Sequence, residues 1–382
     1  MLNSFRFKYS KNYMLKLDYC LKDLNTFGLD IRTKYYFSFS NEQELEQFVN
    51  ERSDLYSNGF FILGGGSNVL FTKDFAGLIF HPKIKFIEII NESDHYVDFE
   101  VGAGLVWDDF VEYCVNKGLY GIENLSYIPG FVGAVPVQNI GAYGVEAKDF
   151  ILSVRGYDIF KNEFIDIPCS DCRFSYRNSV FKTNEFRSFI ILSVKFRLCK
   201  LPKRRVEYFR ENPNATTLSY WSTSSLDFVP SIFKSITKLN LDKARKLTAD
   251  YGIISLETIR KNIIRTRKRR LPDYRVLGNV GSFYKSPIVN KNKLDQIKKS
   301  NRDVIYFPMQ NDEFKISVGW LIEYCGFKGV RVNNVGVDVK RPNMILNYGN
   351  GVGMDIDELA QKIEDSIFRK FGIRIEREVV VI

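Results

Sequence analysis

Histidine is nearly absent: only His81 and His95 occur in 382 residues, and they stand well apart from the cysteines. The six cysteines (Cys20, Cys114, Cys169, Cys172, Cys199 and Cys325) show no disulfide framework. The single CxxC at Cys169 and Cys172 has no second pair to complete a zinc site, so all six read as free thiols of a reducing compartment. Long apolar runs are also missing. None approaches the roughly eighteen residues that span a bilayer, and no signal-peptide core with a small-residue cleavage site stands at the amino terminus. The expectation is a cytoplasmic protein with no membrane and no metal. There is no internal repeat and no heptad pattern. The glycine clusters match neither the Rossmann G-x-G-x-x-G nor the lysine-bearing P-loop.

What is present is the make-up of a packed globular protein, 45% hydrophobic and 15% aromatic, long enough for two or three domains. The net charge of +10 is localised: residues 200 to 275 hold 18 basic and 7 acidic side chains, a surplus that accounts for all of it. Arg265, Arg267, Lys268, Arg269 and Arg270 fall in this stretch. No groove-reading motif accompanies them, so the charge points to a solvated helix face and a polyanionic small molecule, with no nucleic acid expected.

Along the chain, the first twenty or so residues lack periodicity and read as a peripheral extension. Ser40 and Gln43 suggest a capping box opening a helix with Leu45, Phe48 and Val49. Phe60–Leu63 is a strand that runs into Gly64, Gly65, Gly66, Ser67 and Asn68, with a strand resuming at Val69. Further strands are expected at Phe86–Ile90, Tyr96–Val101, Ile151–Tyr157, Glu163–Ile167 and Phe189–Leu198, and a helix over Trp107–Lys117. Ile128–Glu146 carries four glycines and two prolines and should be largely irregular, its backbone close to something. Residues 212 to 226 read as a loop. Helices follow at Asp242–Tyr251, at Ser255–Lys268 with Leu256, Ile259, Ile263 and Ile264 on one side, and from Asp357 with Leu359, Ile363, Ile367 and Phe371 inward.

Missing Cβ atoms let backbone N–H groups reach phosphate oxygens. One such loop could be an ordinary tight turn, but two in one domain suit a dinucleotide. Arg177, Ser282 and Glu378 stand out as a possible carboxylate clamp, a rigidly held hydroxyl and a strand carboxylate. Each alone would be an unremarkable surface or turn residue.

Taken together and in order, Asn25–Gly28, Ile62–Phe71, Ile128–Glu146 (IPGFVGAVPVQNIGAYGVE), Arg173–Lys182 (RFSYRNSVFK), Leu271–Pro287, Val318–Gly329 and Ile375–Val379 resemble the UDP-N-acetylenolpyruvoylglucosamine reductase (MurB) family. The resemblance runs from about Leu21 to the carboxy terminus, interrupted mainly between 200 and 250. It implies an α+β protein: an FAD-binding region of the vanillyl-alcohol-oxidase type in two subdomains (21–84 and 85–200) and a carboxy-terminal α+β substrate-binding domain (255–382). The final strand of that last domain would return to the active site. Residues 1–20 would be the extension and 201–254 a basic insertion or linker.

By the same resemblance, FAD is held noncovalently by Gly64, Gly65, Gly66, Ser67, Asn68, Pro129, Gly130, Asn139, Gly141 and Ala142, with NADPH as co-substrate. The reaction implied is reduction of the enolpyruvyl group of a UDP-sugar in peptidoglycan precursor synthesis. Arg177 and Glu378 would meet the charge that develops on the substrate carboxylate, Glu378 protonated or sharing a proton, and Ser282 would be the general acid. Lys285 or Arg270 would stabilise the transient alkoxide. Tyr143, Arg267, Arg270 and Lys285 would line the substrate path, with Tyr251, or Tyr220 in its place, over the pyrophosphate. Ser286, Arg270, Asp338 and Arg341 depart from the residues usual at those positions, which touches substrate affinity more than chemistry. The competing readings are another flavin oxidoreductase of the same fold and a polyanion-binding protein that retains an FAD scaffold.

Overall fold

The computed structural model describes residues 14–57, 59–200, 255–309 and 311–382. The expected helix at Asp242–Tyr251, the loop at 212–226, and both Tyr220 and Tyr251 lie outside the described residues.

The first unit contains β1 (Met14–Cys20), β2 (Arg32–Phe39), α1 (Glu42–Glu51), α2 (Ser53–Tyr56), β3 (Phe60–Ile62), β4 (Val69–Leu70) and β5 (Phe75–Pro82). Its sheet has the order β1-β2-β5-β3, with β1 antiparallel to β2 and the two other pairings parallel. Two expectations shift here. Part of the extension is a regular edge strand, paired from Met14↔Ser38 to Cys20↔Arg32. The cap of α1 is Asn41, whose Oδ1 accepts the Glu44 N–H at 2.9 Å while Glu44 Oε2 accepts the Ser40 N–H at 2.7 Å. The cap therefore stands one residue later than Ser40 and Gln43 suggest, because asparagine caps as well as serine, and Glu44 closes on the Ser40 N–H rather than on that of the cap itself.

The second unit contains β6 (Ile87–Glu92), β7 (Tyr96–Gly102), α3 (Trp107–Asn116), α4 (Ala134–Gln138), β8 (Gly141–Ala142), β9 (Val145–Glu146), β10 (Ile151–Asp158), β11 (Glu163–Pro168) and β12 (Phe189–Cys199). Five of these strands form an antiparallel sheet, β11-β10-β12-β7-β6. Trp107, Phe110, Val111, Cys114 and Val115, at helical spacing on α3, bury against Phe99, Val194 and Phe196 of that sheet. Ile128–Glu146 is less irregular than expected: it folds a five-residue helix and the β8–β9 hairpin. Pro136 is tolerated because it lies in the first turn of α4, where its missing N–H would have had no helical partner.

Helix α5 (Leu256–Arg270) packs against α3 of the second unit, and the third unit contains β13 (Ile288–Asn290), α6 (Lys291–Ser300), β14 (Tyr306–Pro308), β15 (Glu313–Ile316), α7 (Val318–Tyr324), β16 (Arg331–Val332), β17 (Val335–Val337), β18 (Ile345–Asn347), α8 (Gly353–Phe371) and β19 (Val380–Val381). Helix α8 starts four residues before Asp357 and stops at Gly372 in the left-handed region (φ +62°). Its inward residues are those expected, Leu359, Ile363, Ile367 and Phe371. On α5 the buried set is Leu256, Arg260, Ile263 and Thr266 rather than a row of isoleucines. Arg260 is buried because Asp108 of α3 receives it at 2.6 and 3.0 Å through both carboxylate oxygens.

One apolar cluster joins the third unit to the first. Phe283, Tyr284, Trp320, Leu321, Ile356 and Ile363 share it with Leu21, Phe27, Val69, Leu70 and Phe71. The carboxy terminus completes the junction: β19 pairs in parallel with β4, Val380↔Val69 and Val381↔Leu70. Whatever is built on Glu378 is thereby fixed to the exit of the first glycine loop.

Candidate active site

The Gly64–Asn68 loop connects β3 to β4 and touches two other backbones. A Cβ on Gly66, whose φ is +62°, would lie 1.9 Å from the Leu24 carbonyl oxygen, and one on Gly65 would lie 2.8 Å from Gly130 Cα. The Thr26 N–H donates to Gly66 O at 3.0 Å, and Ser67 Oγ donates to Pro129 O at 3.1 Å. The two glycine segments expected to share a ligand are thus in contact, at Gly65 with Gly130 and Ser67 with Pro129. Among the described residues none accepts a hydrogen bond from the backbone N–H of Gly64, Gly65, Gly66, Ser67 or Asn68. Five successive free donors beside glycines that leave no room for side chains fit the pyrophosphate of FAD.

Asn139 ends α4 in the left-handed region (φ +42°) and is fully buried. Its side chain is committed to the protein: Nδ2 donates to Ser175 O (3.0 Å) and Glu146 Oε2 (3.2 Å), and Oδ1 accepts the Lys148 N–H at 3.1 Å. It therefore holds the 173–178 loop against the 128–146 segment, with both amide N–H groups and one Oδ1 lone pair used within the protein. Gly141 does similar work through its carbonyl, which accepts Arg177 Nη2 at 2.6 Å.

Arg177 sits at the third position of a tight turn closed by Ser175 and Asn178, whose backbones bond each other at 3.0 and 3.1 Å. Its φ of +53° is a conformation that costs a non-glycine residue roughly 1 kcal/mol or more and persists where the surroundings over-determine it. Those surroundings are Gly141 O and Lys182, whose Nζ donates to Arg177 O at 3.0 Å. The strained backbone aims the guanidinium at Glu378, with Nε 3.2 Å from Oε1.

Glu378 arrives from the other side of the molecule. The Glu378 N–H donates to Phe283 O at 2.8 Å and the Lys285 N–H to Glu376 O at 2.9 Å, bridging Tyr284 to Arg377 in antiparallel fashion. Extended geometry alternates the side chains. Arg377 turns inward to Glu364 and Asp357, while Glu376 and Glu378 face the opposite way. Glu378 was expected within the final strand; it stands instead at the bend between this bridge and β19. Asn68 Nδ2 donates to its carbonyl oxygen at 3.1 Å, and Gln138 Nε2 donates to its Oε1 at 2.9 Å.

Ser282 is exposed, between Gly281 (φ +74°) and Phe283, whose carbonyl receives Glu378. The structure therefore brings the chain at 177, 282 and 378 together: Arg177 to Glu378 by an ion pair, and Ser282 to Glu378 through the Phe283 backbone. Lys285 adjoins them, its Nζ 2.6 Å from Glu376 Oε1, on a side chain only 14% exposed against 71% for its partner.

Three residues not singled out from sequence complete the charge around Glu378. Burial, helped by neighbouring Lys285, pulls the Lys182 ammonium down to about 8, against the opposing pull of Glu378. Burial also lowers Lys315, with Arg177 adding repulsion, and raises the Tyr176 hydroxyl. Lys315 Nζ lies 4.9 Å from the centre of the Tyr176 ring. Arg177, Lys182, Lys285 and Lys315 form a cluster of cations suited to a carboxylate and to negative charge that develops on it. The tenth position of the RFSYRNSVFK motif, Lys182, was visible in sequence, but its burial was not.

Arg267 lies two turns beyond Arg260 on the same face of α5. Its Nε donates to Tyr127 O at 3.1 Å, and burial brings its pKa below the ordinary arginine value although Tyr143 bonds and supports the charge. Tyr143 and Arg267 are therefore one unit beside the Gly141–Ala142 hairpin. Arg270 is half-buried at the end of α5.

Known proteins are similar to this chain in sequence and share its fold. The family described as UDP-N-acetylenolpyruvoylglucosamine reductase, C-terminal domain, matches residues 272–382, and the family described as FAD binding domain matches 34–158. The UDP-N-acetylenolpyruvoylglucosamine reductase of Bacteroides fragilis is 37% identical over 361 residues, 94% of this chain and 98% of the relative. That of Flavobacterium johnsoniae is 36% identical over 368 residues, 96% of this chain and 99% of the relative. The crystal structure of the Thermus caldophilus enzyme superposes with a TM-score of 0.61 at 18% identity, covering 97% of this chain and 98% of the other, so the fold is shared along the whole length. With identity above a third across nearly all of both sequences, the chain belongs to the UDP-N-acetylenolpyruvoylglucosamine reductase family.

Proposed function

We propose that this chain reduces the enolpyruvyl group of UDP-N-acetylglucosamine enolpyruvate to give UDP-N-acetylmuramate, with Arg177, Ser282 and Glu378 as the catalytic residues. The observation that carries the assignment of residues is the 3.2 Å contact of Arg177 with Glu378 beside Phe283, at the meeting of three chain segments distant in sequence.

FAD, when bound, would supply the hydride-transfer chemistry between NADPH and the enolpyruvyl carbon. The chain supplies the rest. The free N–H groups of Gly64–Asn68, with Pro129, Gly130, Gly141 and Ala142 alongside, hold the cofactor pyrophosphate and ring noncovalently. Arg177 orients the substrate carboxylate and, with Lys182 and Lys315 behind it, stabilises the negative charge that grows there. Glu378 shares a proton with that carboxylate, and Ser282 delivers one to the adjacent carbon. A serine hydroxyl is a weak acid, so Lys285, held two residues beyond Phe283, lowers the cost of the transient alkoxide. Tyr143 with Arg267, and Arg270 beyond, guide the nucleotide diphosphate into the cleft. The reaction supplies a peptidoglycan precursor. No helix of the described residues is long and apolar enough to cross a membrane, and cysteines kept as thiols suit the cytoplasm as the site of action.

The test is an NADPH oxidation assay with the purified yellow protein. Consumption of NADPH that depends on the UDP-enolpyruvyl sugar supports the assignment. A protein bleached by NADPH but indifferent to that sugar would be a different flavin oxidoreductase.

A further inference from the structure

Gln138 is the last residue of α4, and the three side-chain hydrogen bonds of Asn139 fix the helix end behind it. Its Nε2 reaches Glu378 Oε1 at 2.9 Å, the same oxygen that Arg177 Nε approaches at 3.2 Å. Among the described residues Glu378 Oε2 has no hydrogen-bond partner. Gln138 donates to this oxygen and the Arg177 cation stands against it, so in the neutral carboxyl that oxygen is the carbonyl and the proton belongs to the other. A neutral amide has a further property that a second cation would lack: it donates to a carboxylate and, less strongly, to the carbonyl of a carboxylic acid. It orients Glu378 in both protonation states and favours the charged one only modestly.

We propose that Gln138 is the positioning residue of Glu378, anchoring Oε1 and thereby presenting Oε2 as the oxygen that holds and exchanges the proton facing the substrate. The inference rests on the role given to Glu378 above and adds which of its oxygens works and what aims it.

A double-mutant cycle tests it, read as the rate at which the UDP-enolpyruvyl sugar restores flavin absorbance in NADPH-bleached protein. The variants are Gln138→Leu, Glu378→Ala and their combination, each with flavin content matching the unaltered protein. Where Glu378→Ala does not retain flavin, Glu378→Gln takes its place. The expected result is a loss of about ten- to a hundredfold for Gln138→Leu alone and no further loss when it is added to the Glu378 variant, the mark of residues acting as a unit. Gln138→Leu should also move the pH profile of the restored absorbance to higher pH by about half a unit or more, because a donor to the charged carboxylate has been removed. Losses that multiply, or an unshifted pH profile, would overturn the proposal. If the Glu378 variant restores absorbance at the unaltered rate, the role of Glu378 itself fails, and Gln138 as its positioning residue fails with it.

Discussion

Arg177 and Glu378 face each other at 3.2 Å across a junction that neither element could form alone. Arg177 is set by a strained turn of the second unit, Glu378 by a bridge of the third, and the first unit ties down the latter through Asn68 and β4. Replacing Arg177 with lysine removes the planar fork while keeping the charge. Arg177→Lys should lower turnover by about a hundredfold or more, the range for losing a preorganised charge-stabilising donor. Steady-state kinetics on protein with full flavin content checks this; a loss under threefold would show that the fork is not used.

Gly65 abuts Gly130 where the two glycine segments touch. Gly65→Ala places a Cβ 2.8 Å from Gly130 Cα, backbone that cannot swing aside as a side chain could. The segments must part, and FAD affinity should fall by tenfold or more, on the order of 1.4 kcal/mol. Titration of apoprotein against FAD fluorescence reads the effect, and affinity within a factor of two of the unaltered protein would remove Gly65 from the cradle.

Lys182 donates to the Arg177 carbonyl and is held down to about 8, first by burial and then by Lys285. The unfolded value is higher, so between about 8 and the ordinary lysine range the folded protein binds fewer protons than the unfolded one. Stability linked to this group therefore rises as pH rises through that window. Activity should move the other way, falling above about pH 8 as the cation near the substrate carboxylate is lost. Lys182→Met should remove that alkaline limb of the rate profile; a limb that persists unchanged would assign it to another group.

His81 is buried at 1% exposure, with Nδ1 2.9 Å from Tyr36 Oη and Nε2 without a partner among the described residues. Burial, with Lys83 adding repulsion, lowers it to about 4. The unfolded state takes a proton near 6.5 that the folded state refuses until about 4, so stability falls as pH drops through this window. The slope for one proton is about 1.4 kcal/mol per pH unit. Urea unfolding of the FAD-loaded protein between pH 7 and 4.5 should show this slope, and His81→Gln should flatten it by that amount. An equal slope in both would place the acid sensitivity elsewhere.

Local and periodic features of this fold are legible in the sequence. The α3 face from Trp107 to Val115, the inward residues of α8 and the glycine loop after β3 follow from side-chain spacing and the chemistry of glycine. Boundaries slip where two residues can do one job, as Asn41 displaces Ser40 at the cap of α1. The site is legible only as fragments, since Gln138 meets Glu378 across 240 residues and no local pattern encodes that pairing. Burial of Arg260 is likewise hidden, because a charge goes inside only when a distant partner such as Asp108 is waiting. Asn139 carries a role that its place beside a glycine loop does not reveal: three hydrogen bonds of its side chain hold two loops together.

The convergence of Arg177, Ser282 and Glu378 is tested most directly by Ser282→Ala in stopped flow. The account predicts that NADPH still bleaches the flavin at its usual rate, while restoration of colour by the UDP-enolpyruvyl sugar slows by about a hundredfold or more, the contribution expected of a positioned proton donor. Restoration at the unaltered rate would contradict it.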